Sequence, residues 1–240
     1  QENFRRMAAV LCTDVNHMVC TFQTHTTNIR RVCHGDGGKG IVCERGYTDV
    51  DGLVTDDKEL CLVCFFADCV PLYFVDPKHG AIGLAHSGWR GTVAGMGRRM
   101  AERMEQEFGT RVQDLVAAVG PSICQDCYEV SEEVAEQFRQ MEASISGSRE
   151  LLQELTAQKA YPHRQILRPG KEAGKYQLDL WLANLLILRA AGIPLAQIQV
   201  TDVCTCCNRD YLFSHRASQG KRGNLAAFLM MRDSDGNLDA

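Results

Sequence analysis

The chain reads as one α/β domain covering residues 1–240. Two observations along the sequence predict this fold class. Short apolar runs of strand length, Leu60 to Phe66 and Val70 to Val75 among them, alternate with segments such as Thr92 to Phe108 whose apolar residues recur at helical spacing. No internal repeat, low-complexity tract or linker separates these segments into two units. The composition agrees, since 45% hydrophobic and 23% charged residues are ordinary globular values and exclude a disordered chain.

Charge and cysteine usage narrow the function classes further. A net charge of −4 argues against nucleic acid as a partner, because duplex binding needs a concentrated basic surface. No stretch approaches the ~20 apolar residues of a membrane-spanning helix. Twelve cysteines would suggest a disulfide framework in a short secreted domain. In a chain this long, with a full apolar complement and no evident signal peptide, they read as the reduced thiols of a cytoplasmic protein.

Taken in order, Phe4, Met7, Ala8 and Leu11 stand at helical spacing and predict a helix over Glu2 to Leu11. His17 to Phe22 reads as a strand delivering Gln23-Thr24-His25, where His25 is either a metal ligand or a polar strand-end histidine. The glycine-rich Cys33 to Gly46 stretch reads as a hairpin. It is no phosphate loop, because Lys39 is followed by Gly40 where a Walker loop has Ser or Thr. Asp49, Asp51 and Asp56 lack the terminal Glu of a calcium loop and read as solvated turn residues. Cys61 and Cys64, taken with Cys124 and Cys127, make two Cys-x-x-Cys pairs. Residues three apart on a strand point to opposite faces, however, so these read as buried apolar cysteines rather than a zinc site.

Cys69 opens the strand Val70 to Val75, Asp76 to Gly80 is a turn, and Ala81 to Ala85 returns to His86. Antiparallel pairing brings residues symmetric about the turn together, so Cys69 and His86 meet at the hairpin mouth. Gly88-Trp89-Arg90-Gly91 adds an aromatic platform and a cation suited to an anionic or heterocyclic substrate. A long helix over Thr92 to Phe108 carries a core stripe of Met96, Met100 and Met104. Leu115 to Val119 is a strand, and a helix capped by Ser131 runs to about Met141. A polar surface helix over Glu142 to Gln158 and an apolar helix from Gln177 to Ala191 follow, with Gly192 as its stop. Strands over Ile198 to Val203 and Leu225 to Met231 close the chain.

Gln23-Thr24-His25, Ala67-Asp68-Cys69-Val70-Pro71, His86-Ser87-Gly88-Trp89-Arg90-Gly91, Gly120-Pro121-Ser122-Ile123 and Phe213-Ser214-His215-Arg216 together resemble the laccase-domain family. Its members were first called multicopper polyphenol oxidases and later understood as purine nucleoside phosphorylases with adenosine deaminase and methylthioadenosine phosphorylase activity. The resemblance implies a layered α/β sandwich with mixed sheets, similar to the catalytic domain of cytotoxic necrotizing factors. It implies that His25, Cys69 and His86 bind one zinc ion, with Cys69 and His86 central to catalysis. Purine nucleosides and phosphate are the implied substrates, with Arg90 and Asp68 as candidate substrate contacts. Copper oxidation of polyphenols is the alternative for the same ligands. A further alternative is a metal-free Cys69–His86 thiol hydrolase or amidase acting on a cell-wall precursor. Family members usually carry an additional N-terminal segment that this sequence is expected to lack.

Overall fold

The computed structural model describes residues 1–157 and 165–232. Its architecture is mixed α/β with mixed sheets. Six strands form the main sheet in the spatial order Ile198–Val200, Val116–Val119, Val70–Asp76, Ala81–Ser87, Gly52–Thr55 and Ile29–Arg31. The four central strands are antiparallel neighbours, and a parallel partner closes each edge. A second sheet places Cys61–Phe66 between parallel Met18–Cys20 and antiparallel Leu225–Leu229. Glu129–Ser131, Lys175–Leu178 and Leu167–Pro169 form a small antiparallel third sheet.

The central hairpin reads as a nearly continuous apolar run because both of its faces are covered. Successive strand side chains point to opposite faces. Leu72 and Phe74 accordingly join the core under the helices, whereas Tyr73 and Val75 pack against the second sheet. Met96, Met100 and Met104 are fully buried on the helix side. A Cβ at Gly83 would lie 2.6 Å from Met100 Cε, so the bare glycine lets the helix sit close on the strand. The helix Leu180–Ala190 has buried residues all round, which explains its lack of a polar stripe.

Several boundaries differ from expectation, each for a local reason. The long helix divides into Trp89–Val93 and Met96–Phe108, because Gly95 adopts a left-handed φ of 76° between them. Gly97, two residues on, packs against Leu188. The predicted helix start at Gln177 is the end of a strand instead. The helix begins at Leu180, where the Asp179 carboxylate accepts the Leu182 N–H as N-cap. The polar segment splits between Glu132–Ser144 and Ser148–Ala157. Gln158, its expected last residue, lies outside the described residues. Among the described residues, no helix is long and apolar enough to cross a membrane.

Candidate metal centre

The hairpin register places the first two site residues. Val70 pairs with Ser87 and Pro71 with His86, so Cys69 stands one step past the ladder on the same face as His86. His25 comes from the turn after Met18–Cys20. The Gln23 side chain anchors this turn, its Oε1 accepting from Thr21 Oγ1 at 2.7 Å and from the Phe65 N–H at 2.7 Å. The three ligand atoms of His25, Cys69 and His86 lie within 4.8 Å of one another, and the two imidazoles meet edge to face at 4.9 Å. His86 is buried and His25 exposed, so the group lies between core and solvent.

Asp51, expected among solvated turn residues, is fully buried and organises this group. The strand Gly52–Thr55 pairs with Ala81–Ser87, and the His86 N–H continues the ladder onto the Asp51 carbonyl at 2.8 Å. That register sets the Asp51 carboxylate beside the imidazole, where Oδ1 lies 2.8 Å from His86 Nδ1. With Nδ1 so engaged, Nε2 is the ring nitrogen left for a metal. The same carboxylate accepts the backbone N–H groups of Thr24, His25 and Thr26 at 2.9, 3.2 and 3.1 Å. This grip stabilises His25 at a left-handed φ of 66°, a conformation that costs a β-carbon residue about 1–3 kcal/mol.

Electrostatics in the group follow from these contacts. Burial pushes the Cys69 thiol up, but hydrogen bonds from His25 and then His86 outweigh it and bring the pKa down to about 6. Burial works against a charged His86 in the same way, and its bonds to Asp51 and Cys69 raise it to about 9. The contacts therefore favour the thiolate of Cys69 and the charged form of His86. Gly88 completes the geometry by leaving room, since a Cβ there would lie 3.0 Å from both Cys69 Sγ and His25 Cδ2.

Asp68 is buried at a left-handed φ of 83°. Its Oδ1 accepts from Thr205 Oγ1 at 2.6 Å and its Oδ2 from the Arg216 N–H at 2.7 Å. Both oxygens are thus turned to the protein, and the Phe213-Ser214-His215-Arg216 motif is the loop they hold. Arg90 is exposed, its guanidinium 4.3 Å from the Trp89 ring centroid. A cavity of about 390 Å³ opens over the three ligands. Among the described residues its cations are Arg45 and Arg222, and Phe22 and Phe65 supply apolar walls. Sequence reasoning picked out neither arginine, because each reaches the cavity through a loop whose placement depends on distant strands.

Cys61 and Cys64 are buried in their strand, where burial pushes both thiols up. They do not approach Cys124 and Cys127. Those two lie instead within 4.8 Å of Cys204 and Cys207, a second Cys-x-x-Cys pair that the sequence reading left unconnected.

Fold and site together define an α/β protein with a two-histidine, one-cysteine group at the mouth of its central hairpin. The sequence matches the model of the multi-copper polyphenol oxidoreductase laccase family over residues 1–232, and the chain belongs to that family. It is 36% identical to purine nucleoside phosphorylase YlmD of Geobacillus stearothermophilus over 232 residues, covering 96% of this chain and 78% of that protein. The crystal structure of that YlmD superposes with a TM-score of 0.81, covering 96% of this chain and 79% of the other. The crystal structure of Bacillus licheniformis YfiH gives 0.82 at 33% identity, with 96% and 80% covered. Adenosine deaminase RL5, from an unknown prokaryotic organism, is 32% identical over 211 residues, covering 88% of this chain and 73% of that protein. These relatives support an enzyme acting on purine nucleosides.

Proposed function

We propose that the chain is a zinc-dependent purine nucleoside phosphorylase acting on adenosine, inosine, guanosine and methylthioadenosine, with adenosine deamination as a second activity. The observation that carries this reading is the His25, Cys69 and His86 group in the wall of a cavity that also holds Arg45 and Arg222. The donors fit zinc, because one thiolate and two imidazoles are borderline-soft ligands and three protein ligands are the pattern of a catalytic site. Zinc held by these residues would supply Lewis acidity to the cavity. The phosphorylase part of the reading is supported by the YlmD relative's name, and the deaminase part by that of RL5.

The chain's own residues supply binding and orientation. In phosphorolysis a phosphate oxygen bonds to the sugar C1′ as the bond from C1′ to the base nitrogen breaks, and the electron pair departs with the purine. Arg45 and Arg222 offer charge to the phosphate, and Phe22 and Phe65 offer apolar surface to the base. Arg90, exposed on its Trp89 platform and outside the cavity lining, is a further candidate anion contact. Asp68 acts through the position it gives Cys69, its own oxygens being held by Thr205 and Arg216. Copper oxidation of polyphenols fits less well, because multicopper chemistry needs several histidine-rich centres and a three-ligand group accommodates one ion.

Metal-replete protein incubated with adenosine or inosine and phosphate is expected to release free base and ribose 1-phosphate, and Cys69→Ala to release none. Undiminished turnover by Cys69→Ala, or no base release by the wild type, would refute the proposal. The thiol-hydrolase alternative draws on one specific observation, the alignment of Cys69, His86 and Asp51 with a thiol at about pKa 6. It requires protein that is active on an amide substrate after complete removal of metal. Loss of all activity in metal-free protein that keeps its fold by circular dichroism speaks against it.

A further inference from the structure

We propose that Cys124, Cys127, Cys204 and Cys207 bind a second zinc ion, a structural one, which clamps together the two loops behind Cys69. The two Cys-x-x-Cys pairs reach one point because of their local backbone. Cys124 is the N-cap of the single-turn 3-10 helix Gln125–Cys127, in which residues three apart eclipse, so its sulfur and that of Cys127 face the same way. The extended backbone of Cys61–Phe66 separates Cys61 from Cys64 at the same spacing. Cys204 pairs with Ser122 in an isolated parallel bridge, and the turn that follows carries Cys207 back over it.

The sulfur positions fit one tetrahedral ion. Cys207 Sγ lies 3.9 Å from Cys124 Sγ and 3.5 Å from Cys127 Sγ, and all four sulfurs are within 4.8 Å of one another. Four metal–sulfur arms of ~2.3 Å at tetrahedral angles place the sulfurs about 3.8 Å apart. A disulfide would hold two of them at about 2.0 Å. The backbone N–H groups of Cys124 and Cys207 each donate to Cys204 Sγ at 3.3 Å, an arrangement suited to a thiolate. Among the described residues, no carboxylate or imidazole enters the group. Four soft ligands select zinc over magnesium or calcium, and they leave no position open for substrate.

The clamp has a specific consequence for the catalytic side. Thr205, between the two ligands of the second pair, is the residue whose hydroxyl holds the Asp68 carboxylate. Ions at the two centres would therefore fix the segment around Cys69 from opposite sides, one through its sulfur and one through Asp68. This inference stands whether or not the protein acts on purine nucleosides.

Metal content of reduced, purified protein tests it. Wild type is expected to carry about two zinc ions per chain, and Cys69→Ala and Cys127→Ser/Cys207→Ser about one each. Cobalt-substituted Cys69→Ala should show the sulfur-to-metal charge-transfer bands and strong visible absorption of a tetrathiolate site. The double variant, with its remaining ion on His25, Cys69 and His86, should keep only the weaker charge transfer of a single thiolate. About one zinc in the wild type and none in Cys69→Ala would overturn the proposal, as would stoichiometric iron or two intact disulfides among these cysteines. Should the double variant fail to fold, the metal content and cobalt spectrum of Cys69→Ala still decide.

Discussion

Asp51→Asn tests whether the buried carboxylate sets the metal-binding form of His86. Asp51 Oδ1 receives His86 Nδ1 and the His25 N–H, while Oδ2 receives the Thr24 and Thr26 N–H groups and the Thr26 hydroxyl at 3.2 Å. An asparagine has one acceptor oxygen, so either orientation of its amide fails. With nitrogen at the Oδ2 position, the Thr24 and Thr26 amides lose their acceptor, at about 1–3 kcal/mol for each donor left unsatisfied. With nitrogen at the Oδ1 position, His86 must present Nδ1 as an acceptor and carry its proton on Nε2, which closes that nitrogen to metal. Loss of such an orienting contact typically lowers metal affinity about 10–100-fold, or ~1.4–2.7 kcal/mol. The assay is protection of Cys69 from iodoacetamide across a series of buffered free-zinc concentrations, read by peptide mass spectrometry. It reports this site alone, whatever else binds zinc. In the wild type, zinc must displace a proton from His86 at any pH below about 9, while Cys69 is already a thiolate above about 6. The midpoint should therefore fall in zinc as pH rises toward 9. In Asp51→Asn it should shift to higher zinc and its pH dependence should end at lower pH. Protection curves that superimpose on the wild type would sink the assignment of Asp51.

Three further outcomes follow from contacts around the site. Gly88→Ala should lower zinc affinity at the Cys69 site with little change in urea midpoint, because Gly88 has an ordinary φ of −71° and the nearest neighbours of the added carbon are Cys69 and His25. Equal affinity for zinc in that variant would show that the imidazole can give way. Asn184→Leu should destabilise by about 1–3 kcal/mol in urea unfolding, since it removes two hydrogen bonds to the buried Ser87 and Thr92 hydroxyls at 3.3 and 3.2 Å, leaving these only each other and the Gly88 carbonyl. Acid titration of stability should show a loss traceable to Asp36. Burial pushes its carboxyl up, but Lys39 at 2.6 Å and the Cys33 N–H outweigh this and hold it below the usual range. A carboxylate lowered in the folded state contributes fully above the unfolded pKa and loses that contribution as pH falls through the folded one. The urea midpoint of Asp36→Asn should accordingly vary less between about pH 5 and pH 2 than that of the wild type.

What the sequence revealed of the site was whatever a single hairpin could encode. Cys69 and His86 are placed by one turn and one antiparallel register, both readable from the apolar runs around Asp76 to Gly80. The strand assignments of the core were legible for the same reason, since burial on both faces leaves continuous apolar runs. Asp51 was not legible, because its burial depends on Gly52–Thr55 pairing with Ala81–Ser87, and an aspartate before a glycine reads locally as a turn. The cysteine pairs show the same distinction. Cys124 and Cys127 belong with Cys204 and Cys207 only through the bridge from Ser122 to Cys204, a contact between distant parts of the chain. Spacing alone could not show which Cys-x-x-Cys lay on a strand and which on a 3-10 turn.

The two buried aspartates around Cys69 have separate tasks. Asp51 holds an imidazole and the turn bearing His25, so its contribution is concentrated on metal binding. Asp68 holds Thr205 and Arg216, tying the segment before Cys69 to loops that also meet the four-cysteine group. Removal of the Asp51 carboxylate should therefore act on zinc affinity before it acts on the fold. An Asp68→Asn substitution should instead loosen the loop around Thr205 and Arg216, because it replaces two charge-assisted hydrogen bonds by weaker neutral ones, the Thr205 hydroxyl turning to accept from the amide. Limited proteolysis separates the two, with cleavage near residues 205–216 rising in Asp68→Asn and staying at the wild-type rate in zinc-saturated Asp51→Asn. Equal cleavage in the two variants would mean that the two carboxylates act on one cooperative unit rather than on two.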